Sequence, residues 1–320
     1  MKPAARRTPA PALWITEPLA EPGVAQFLVM PRAVPTLYSL DPAMPVLLRP
    51  DGAVQVGWDP RRAVLVHPPG GLSASSVAAL LRSMRSPTPI TELQRQAVSQ
   101  GLVDGEEVVN LVGQLVGAGV AIRGHRGCPG RAASIRIHGR GPLSDLLMQA
   151  LRCSGARVGQ SSQPHAAVSS GTVDLVVLSD YLVADPRLVR DMHNEGIAHL
   201  LVRVRDGTGL VGPLVIPGVT SCLRCADLHR SDVDCAWPAI AAQLRGTVGV
   251  ADRATLLATA ALALSQVNRV IAAVRGEQAD RDPPSALNAT LEFDLNAGSI
   301  VARQWTRHPL CSCDGGRDGV

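Results

Sequence analysis

The feature that most restricts what this chain can fold into is a pair of cysteine pairs, Cys222-Leu-Arg-Cys225 and Cys311-Ser-Cys313, set far apart in the sequence. A Cys-x-x-Cys turn can aim two thiolates at one point, and a second pair brought in from a distance completes the tetrahedron that zinc favours. Four thiolates leave no open position on the ion, so such a site holds structure together and does no catalysis. Its loss should unfold the C-terminal part of the chain. The competing readings are four unrelated thiols, or redox chemistry at the Cys-x-x-Cys. The total of seven cysteines is odd, and the N-terminal stretch MKPAARRTPAPALWITEPLAEP has no unbroken apolar core, which argues against a disulfide framework and for a reducing compartment.

A length of 320 residues suggests two domains, and 46% hydrophobic residues are ample for buried cores. With aromatics at only 2%, those cores must be packed from Leu, Val and Ala. The formal charge of +4 is carried by dispersed arginines and gives no footprint for nucleic acid. The longest apolar run, around TLLATAALAL, is expected to be too short to span a bilayer, so the expectation is a soluble cytoplasmic protein.

Residues 1–35 are rich in Pro and Ala without periodicity and read as an irregular arm. Residues 36–123 read as a small winged-helix-like α+β domain. There VLLRPDGAVQVGW alternates about an Asp51-Gly52 hairpin signal, and three helices follow in SASSVAALLRSM, TPITELQRQAVSQG and GEEVVNLVGQLVGAG. The Gly- and Arg-rich 124–132 is the expected linker. From 133 to 320 the order changes to βα units, with strands in SIRIHG, VDLVVLSD and AHLLVRV and helices in GPLSDLLMQALRCSG and PRLVRDMHNEG, which predicts a Rossmann-like α/β domain with a mostly parallel sheet. A long helix over VADRATLLATAALALSQVNRVIAAVRG and an antiparallel hairpin over LNATLEFDLNAGSIVARQW precede the last cysteines.

Between the first strand and helix of that domain stands Gly139-Arg140-Gly141-Pro142-Leu143-Ser144, a variant of GxGxxG in which backbone N–H groups and the helix dipole can face a phosphate. Ser144 replaces the third glycine, and the segment ARVGQSSQPH holds no acid for a ribose, so a plain strand-to-helix turn is the competing reading. Asp180 ends a buried strand, where it can meet a metal-nucleotide or cap the following turn. His229, Arg230, Asp232, Asp234 and Trp237 make either a partner or substrate surface or a solvated crossing loop. Cys235, Cys128 and Cys153 read as spare thiols, and no Ser-His-Asp, paired-carboxylate or HExxH motif supports a hydrolase.

The GxG turn, the segment VGPLVIPGVTSCLRC with its Pro-Gly-x-x-x-Cys-x-x-Cys approach, and the CSC near the end together resemble the ThiF-type, ubiquitin-activating-like superfamily over residues 133–313. The trailing DLHRSDVDCAWPAIAAQL looks like the bacterial branch related to azole-forming cyclodehydratase proteins, and residues 46–120 are similar to the PqqD-like element that binds precursor-peptide leaders in that branch. Active members of the superfamily hold Mg-ATP with the glycine turn, an acid on the second strand and Arg and Lys on the next helix, and adenylate a C-terminal carboxylate. Gly139 and Gly141 match that pattern, and Asp180 matches the magnesium-positioning aspartate after a shift. The ribose acid is absent, there are too few residues between Val158 and Val173 for the basic helix, and Arg140 is the only basic residue of the turn. The resemblance therefore implies a degenerate member, homodimeric and not itself an enzyme, which presents a precursor peptide or small protein to a separate YcaO-type enzyme. An active ATP-dependent adenylyltransferase is the first alternative. A DNA-binding winged helix is the second, and it is poorly served by helices that carry only Arg95.

Overall fold

The computed structural model describes residues 36–68, 72–101, 104–125, 131–163, 171–276 and 283–313. The arm over 1–35, Cys128 and most of the expected linker lie outside them. The chain divides into two compact units, one within Ala20–Gly130 and the other within Arg131–Arg275 and Asp282–Val320.

The first unit contains strands β1 (Thr36–Leu40), β2 (Val46–Leu48), β3 (Val54–Val56) and β4 (Val64–Val66), helix α1 (Ala74–Ser83), strand β5 (Thr88–Pro89), helices α2 (Ile90–Ser99) and α3 (Gly105–Gly117), and strand β6 (Ala121–His125). Strands β2, β3 and β4 form an antiparallel meander, and β1 pairs antiparallel with both β5 and β6. Asp51-Gly52 does turn β2 into β3, with Gly52 at φ +82° and the Asp51 carboxylate accepting the Ala53 N–H at 3.1 Å. Two three-stranded sheets are more β structure than one hairpin and its extension. The short β1, β5 and β6 pair only with one another, which no local periodicity announces. Ser73 and Asp104 cap α1 and α3 through their side chains. The core is aliphatic, with Val54, Val56, Leu80, Leu81, Leu93 and Leu115 fully enclosed.

The second unit holds β7 (Ser134–His138), α4 (Pro142–Leu151), β8 (Arg157–Ser161), β9 (Leu175–Ser179), α5 (Pro186–Asn194), β10 (His199–Arg205) and β11 (Thr208–Val215). They are followed by α6 (Leu223–Val233), α7 (Trp237–Leu244), α8 (Arg253–Val274), β12 (Ala289–Asp294) and β13 (Ser299–Gln304). One seven-stranded sheet runs β13-β12-β11-β10-β9-β7-β8. Its β8, β7, β9 and β10 are parallel, while β10 to β13 are antiparallel, so the sheet is mixed, not mostly parallel. The physical cause is Asp206-Gly207, both at positive φ (51° and 77°), a tight hairpin turn that sends β11 straight back along β10 without a crossover helix. The edge strand β8, mostly exposed in RVGQS, lacks the apolar run that marks its neighbours.

Ile135, Ile137, Val177, Val202 and Val204 point to one face of this sheet, where they pack with Leu143, Leu147 and Leu151 of α4 and Ala263, Val267 and Val270 of α8. Truncating one of these leucines to alanine costs about 2–5 kcal/mol. Val176, Leu178 and Leu201 point to the other face, against Leu188 and Met192 of α5 and the cysteine region. Among the described residues α8 alone is long and apolar enough to cross a membrane, so TLLATAALAL is part of a longer apolar helix than its sequence run indicates. Its buried side chains belong to the core of the unit.

Candidate functional site

The turn after β7 brings Gly139 and Gly141 against the end of β9. A Cβ on Gly139 would stand 2.3 Å from the Ser179 carbonyl oxygen, and one on Gly141 would stand 2.7 Å from Asp180 Oδ1. Both glycines are thus required by packing against Ser179 and Asp180. Helix α4 begins at Pro142 with no side-chain cap of its own. Its free N–H groups are instead met by Asp180: Leu143 donates to Oδ1 at 2.9 Å, Ser144 donates to Oδ2 at 3.0 Å, and the Ser144 hydroxyl also donates to Oδ2. Asp180 is buried, sits at φ +72°, and is fixed through its backbone to Val202 and Gly249. A helix N-terminus is a ready seat for an anion. Here a carboxylate of the same chain occupies the seat, and the helix it caps is the one before it, not a turn after it.

Where the parallel strands end, His138, Ser179, Tyr181, Asp185, Arg245 and Gly246 line a cavity of about 240 Å³. That is below the roughly 300–1,000 Å³ of ordinary small-molecule sites. Burial lowers the His138 pKa, and the ring lies 3.1 Å from the Ser161 hydroxyl.

The four cysteines meet at the start of α6. Their sulfurs lie 3.8 Å apart for Cys222–Cys225, 3.5 Å for Cys222–Cys311 and 3.4 Å for Cys225–Cys313, all four within 4.8 Å of one another. Sulfurs held ~2.3 Å from a central zinc would be about 3.8 Å apart, so the cluster has the size and the donor set of a closed metal site. Burial pushes the Cys222 thiol up and raises Cys313 to about 11. Burial also works against ionising Cys225, yet the His308 and Cys222 backbone N–H groups and the neighbouring thiols outweigh it and bring that thiol down to about 7. With Cys222 and Cys313 held towards the protonated form, all four thiols can ionise together only with a cation between them. Cys153 and Cys235 are exposed and stand apart from the cluster.

Beyond the cysteines, α6 carries His229 and Asp232 alongside His308. The Leu310 N–H donates to His308 Nδ1 at 3.1 Å, which leaves the proton on Nε2, donated to Asp232 at 2.8 Å. His229 Nε2 donates to the Thr306 carbonyl at 3.1 Å. With protons on both facing nitrogens this trio is a hydrogen-bonded clasp. Next to it Arg230 lies 5.2 Å from the Trp237 ring and 5.0 Å from the Trp305 ring, and pairs with Asp227 at 2.9 Å. Arg230, Trp237, His229 and Asp234 share the wall of one cavity with Arg203 and Trp305, whereas Asp232 sits in the clasp. Arg203 carries a faint signal: Arg203 and Arg205 alternate with valines in HLLVRVR, and a charged residue on an otherwise buried strand marks a face with a task.

No family model and no curated protein matches the chain. Among solved structures it is similar to the heterocyclase TruD, at 16% identity and a TM-score of 0.60 over 87% of this chain and 43% of that one. It is also similar to a heterocyclase in complex with substrate and cofactor, at 14% and 0.61, over 88% of this chain and 40% of that one. To Escherichia coli MccB solved with ATP it is 14% identical, with a TM-score of 0.56 over 87% of this chain and 99% of that one. The chain therefore spans less than half the length of the two heterocyclases and nearly all of MccB. At these identities what is shared with these proteins is the fold.

Proposed function

We propose that this chain is a zinc-stabilised, degenerate ThiF-like protein that binds a precursor peptide or small protein and presents it to a separate modifying enzyme of the YcaO type. The observation that carries the reading is the Asp180 carboxylate on the N-terminus of α4, because a nucleotide phosphate seated there would meet a buried negative charge already holding the same N–H groups. The small cavity at the strand ends and its single lining arginine, Arg245, point the same way. Similar folds occur in MccB, solved with N-formylated MccA, and in a heterocyclase solved with its substrate, which supports a peptide as the bound partner.

In this reading Cys222, Cys225, Cys311 and Cys313 hold one structural zinc ion. The leader of the peptide adds as a strand to the edge of β2 or β4, both unpaired on their outer sides among the described residues and flanked by exposed Leu47, Leu48, Leu65 and Trp58. The protein acts in the cytoplasm as a homodimer. Calorimetric titration of the zinc-loaded protein with Mg-ATP tests it: no heat up to millimolar nucleotide is expected, together with saturable binding of a leader peptide. Tight ATP binding would instead favour an adenylyltransferase in which Gly139, Gly141 and Asp180 serve the nucleotide.

A further inference from the structure

We propose that the cleft between β10 and helices α5, α6 and α7 binds a peptide through one carboxylate, with Arg203 as its anchor. The peptide part rests on the function proposed above; the anion site rests on the cleft itself. Two cavities of about 790 and 700 Å³ lie on this side of the sheet, and Arg203, Arg230 and Trp237 belong to the walls of both.

Arg203 is only 9% exposed and donates one guanidinium N–H to the Leu182 carbonyl. Among the described residues no carboxylate lies within ion-pair distance of it. The other arginines of the 790 Å³ cavity are provided for: Arg230 by Asp227 at 2.9 Å, Arg303 by Glu292 at 3.0 Å, and Arg205 by Glu292 and Asp206 at 3.8 and 3.9 Å. Burial, aided by the charges of Arg230 and Arg205, lowers the Arg203 pKa to about 9. A guanidinium stays protonated in proteins, so the fold keeps a largely buried cation whose remaining donors meet no protein acceptor among the described residues and reach the cavities. The walls of the 700 Å³ cavity carry Arg190, Arg203, Arg224 and Arg230 against one acid, Asp227, so the cleft is positive and suits an anion, and the planar fork of Arg203 suits a carboxylate geometrically. Trp237 and Trp305 hold Arg230 beside it.

A second group without a partner among the described residues lies on the same strand face. His199 is fully buried and donates Nδ1–H to the Ile197 carbonyl at 3.0 Å, which leaves the Nε2 lone pair without a partner in the wall of the 700 Å³ cavity. Four steps along β10 separate it from Arg203, about 13 Å at the rise of a strand. An extended peptide of about four residues spans that distance, so one held by Arg203 through a carboxylate can lie along the cavity wall that His199 belongs to.

The test uses three N-acetylated tetra-alanine probes: one with a free C-terminal carboxylate, one amidated and carrying a single Asp, and one amidated and uncharged. Binding to the full zinc-loaded protein is followed by fluorescence of the cleft tryptophans. Both charged probes are expected to bind at least about tenfold more tightly than the neutral one, and their ratio tells whether a chain terminus or an acidic side chain is the better source. Arg203→Met should weaken them about 30-fold or more while the melting temperature stays level or rises, because a buried unpaired charge has been removed. Equal binding of all three probes, or unchanged affinity in Arg203→Met, would overturn the proposal. Should Arg203→Met fail to fold, Arg203→Lys decides, with about tenfold weaker binding for the proposal and equal binding against it. The probes contain no leader sequence. If they fail while a leader binds, only the cleft proposal falls; if they bind while no leader does, only the presentation reading falls.

Discussion

At the start of α4 a set of free N–H groups meets a carboxylate from the same chain, whereas in the cleft beside β10 a buried guanidinium meets none. The two regions lie on one sheet and are built from adjacent strands, β9 and β10. On the function proposed above, their difference is that of a nucleotide-type fold that has lost one ligand and kept capacity for another. A charge that is satisfied internally closes a site and adds stability, and a charge left open keeps a site available at a cost in stability.

The strongest way to break this comparison is to remove the metal expected at the cysteines. Chelation, or Cys225→Ser, should cost on the order of 10 kcal/mol of apparent stability and release α6, which forms a wall of the cleft. Hydrogen exchange should then show α6 unprotected and probe binding lost, while the Leu143 and Ser144 amides stay protected by Asp180. Loss of protection at both places would mean that the two regions do not stand apart.

Acid provides the next largest effect. Burial holds His199 down to about 4, against an ordinary value of 6.5. Its neutral form therefore contributes stability fully present above pH 6.5 and lost as pH falls from 6.5 towards 4, because the unfolded chain takes up the proton first. The loss amounts to roughly 3 kcal/mol. Urea titrations across that range should show it, and His199→Gln should flatten the slope.

Asp180→Ala should cost roughly 2 kcal/mol by removing the cap of α4. It also opens the seat, so sulfate should raise the melting temperature of this variant more than that of the parent protein. If sulfate acts equally on both, the seat is not closed in the way described. The smallest effect is reserved for Arg303→Ala, which breaks an exposed pair with Glu292 and should change stability by less than about 1 kcal/mol and leave the probe affinity as it was.

The sequence announces some of this better than the rest, for physical reasons. Cysteine spacing is a chemical signal independent of secondary structure, so the meeting of Cys222 and Cys225 with Cys311 and Cys313 is legible, although no spacing names the ion. The GxG turn is legible as a turn, but the role of Asp180 is not, because a residue at the end of one strand capping the helix after another depends on the order of strands in the sheet. The Asp206-Gly207 turn carries a hairpin signal that the apolar strength of β10 masks, and that turn is what makes half of the sheet antiparallel. The cleft is the least legible, since Arg203 and His199 gain their meaning from what the fold fails to put next to them.

The cysteine cluster joins positions 88 residues apart, from Cys225 to Cys313. If a metal closes it, everything from α6 through β13 lies inside one loop, and the closure entropy of that loop is removed from the unfolded chain in a single event. The event has an order in time as well. The ion can be captured with its full ligand set only once Cys313 has left the ribosome, so the antiparallel half of the sheet and the cleft it carries would mature late and together. The parallel strands and the capped α4, which need none of these ligands, can settle beforehand. Metal supply would then govern when the cleft becomes competent, not whether the rest of the unit folds.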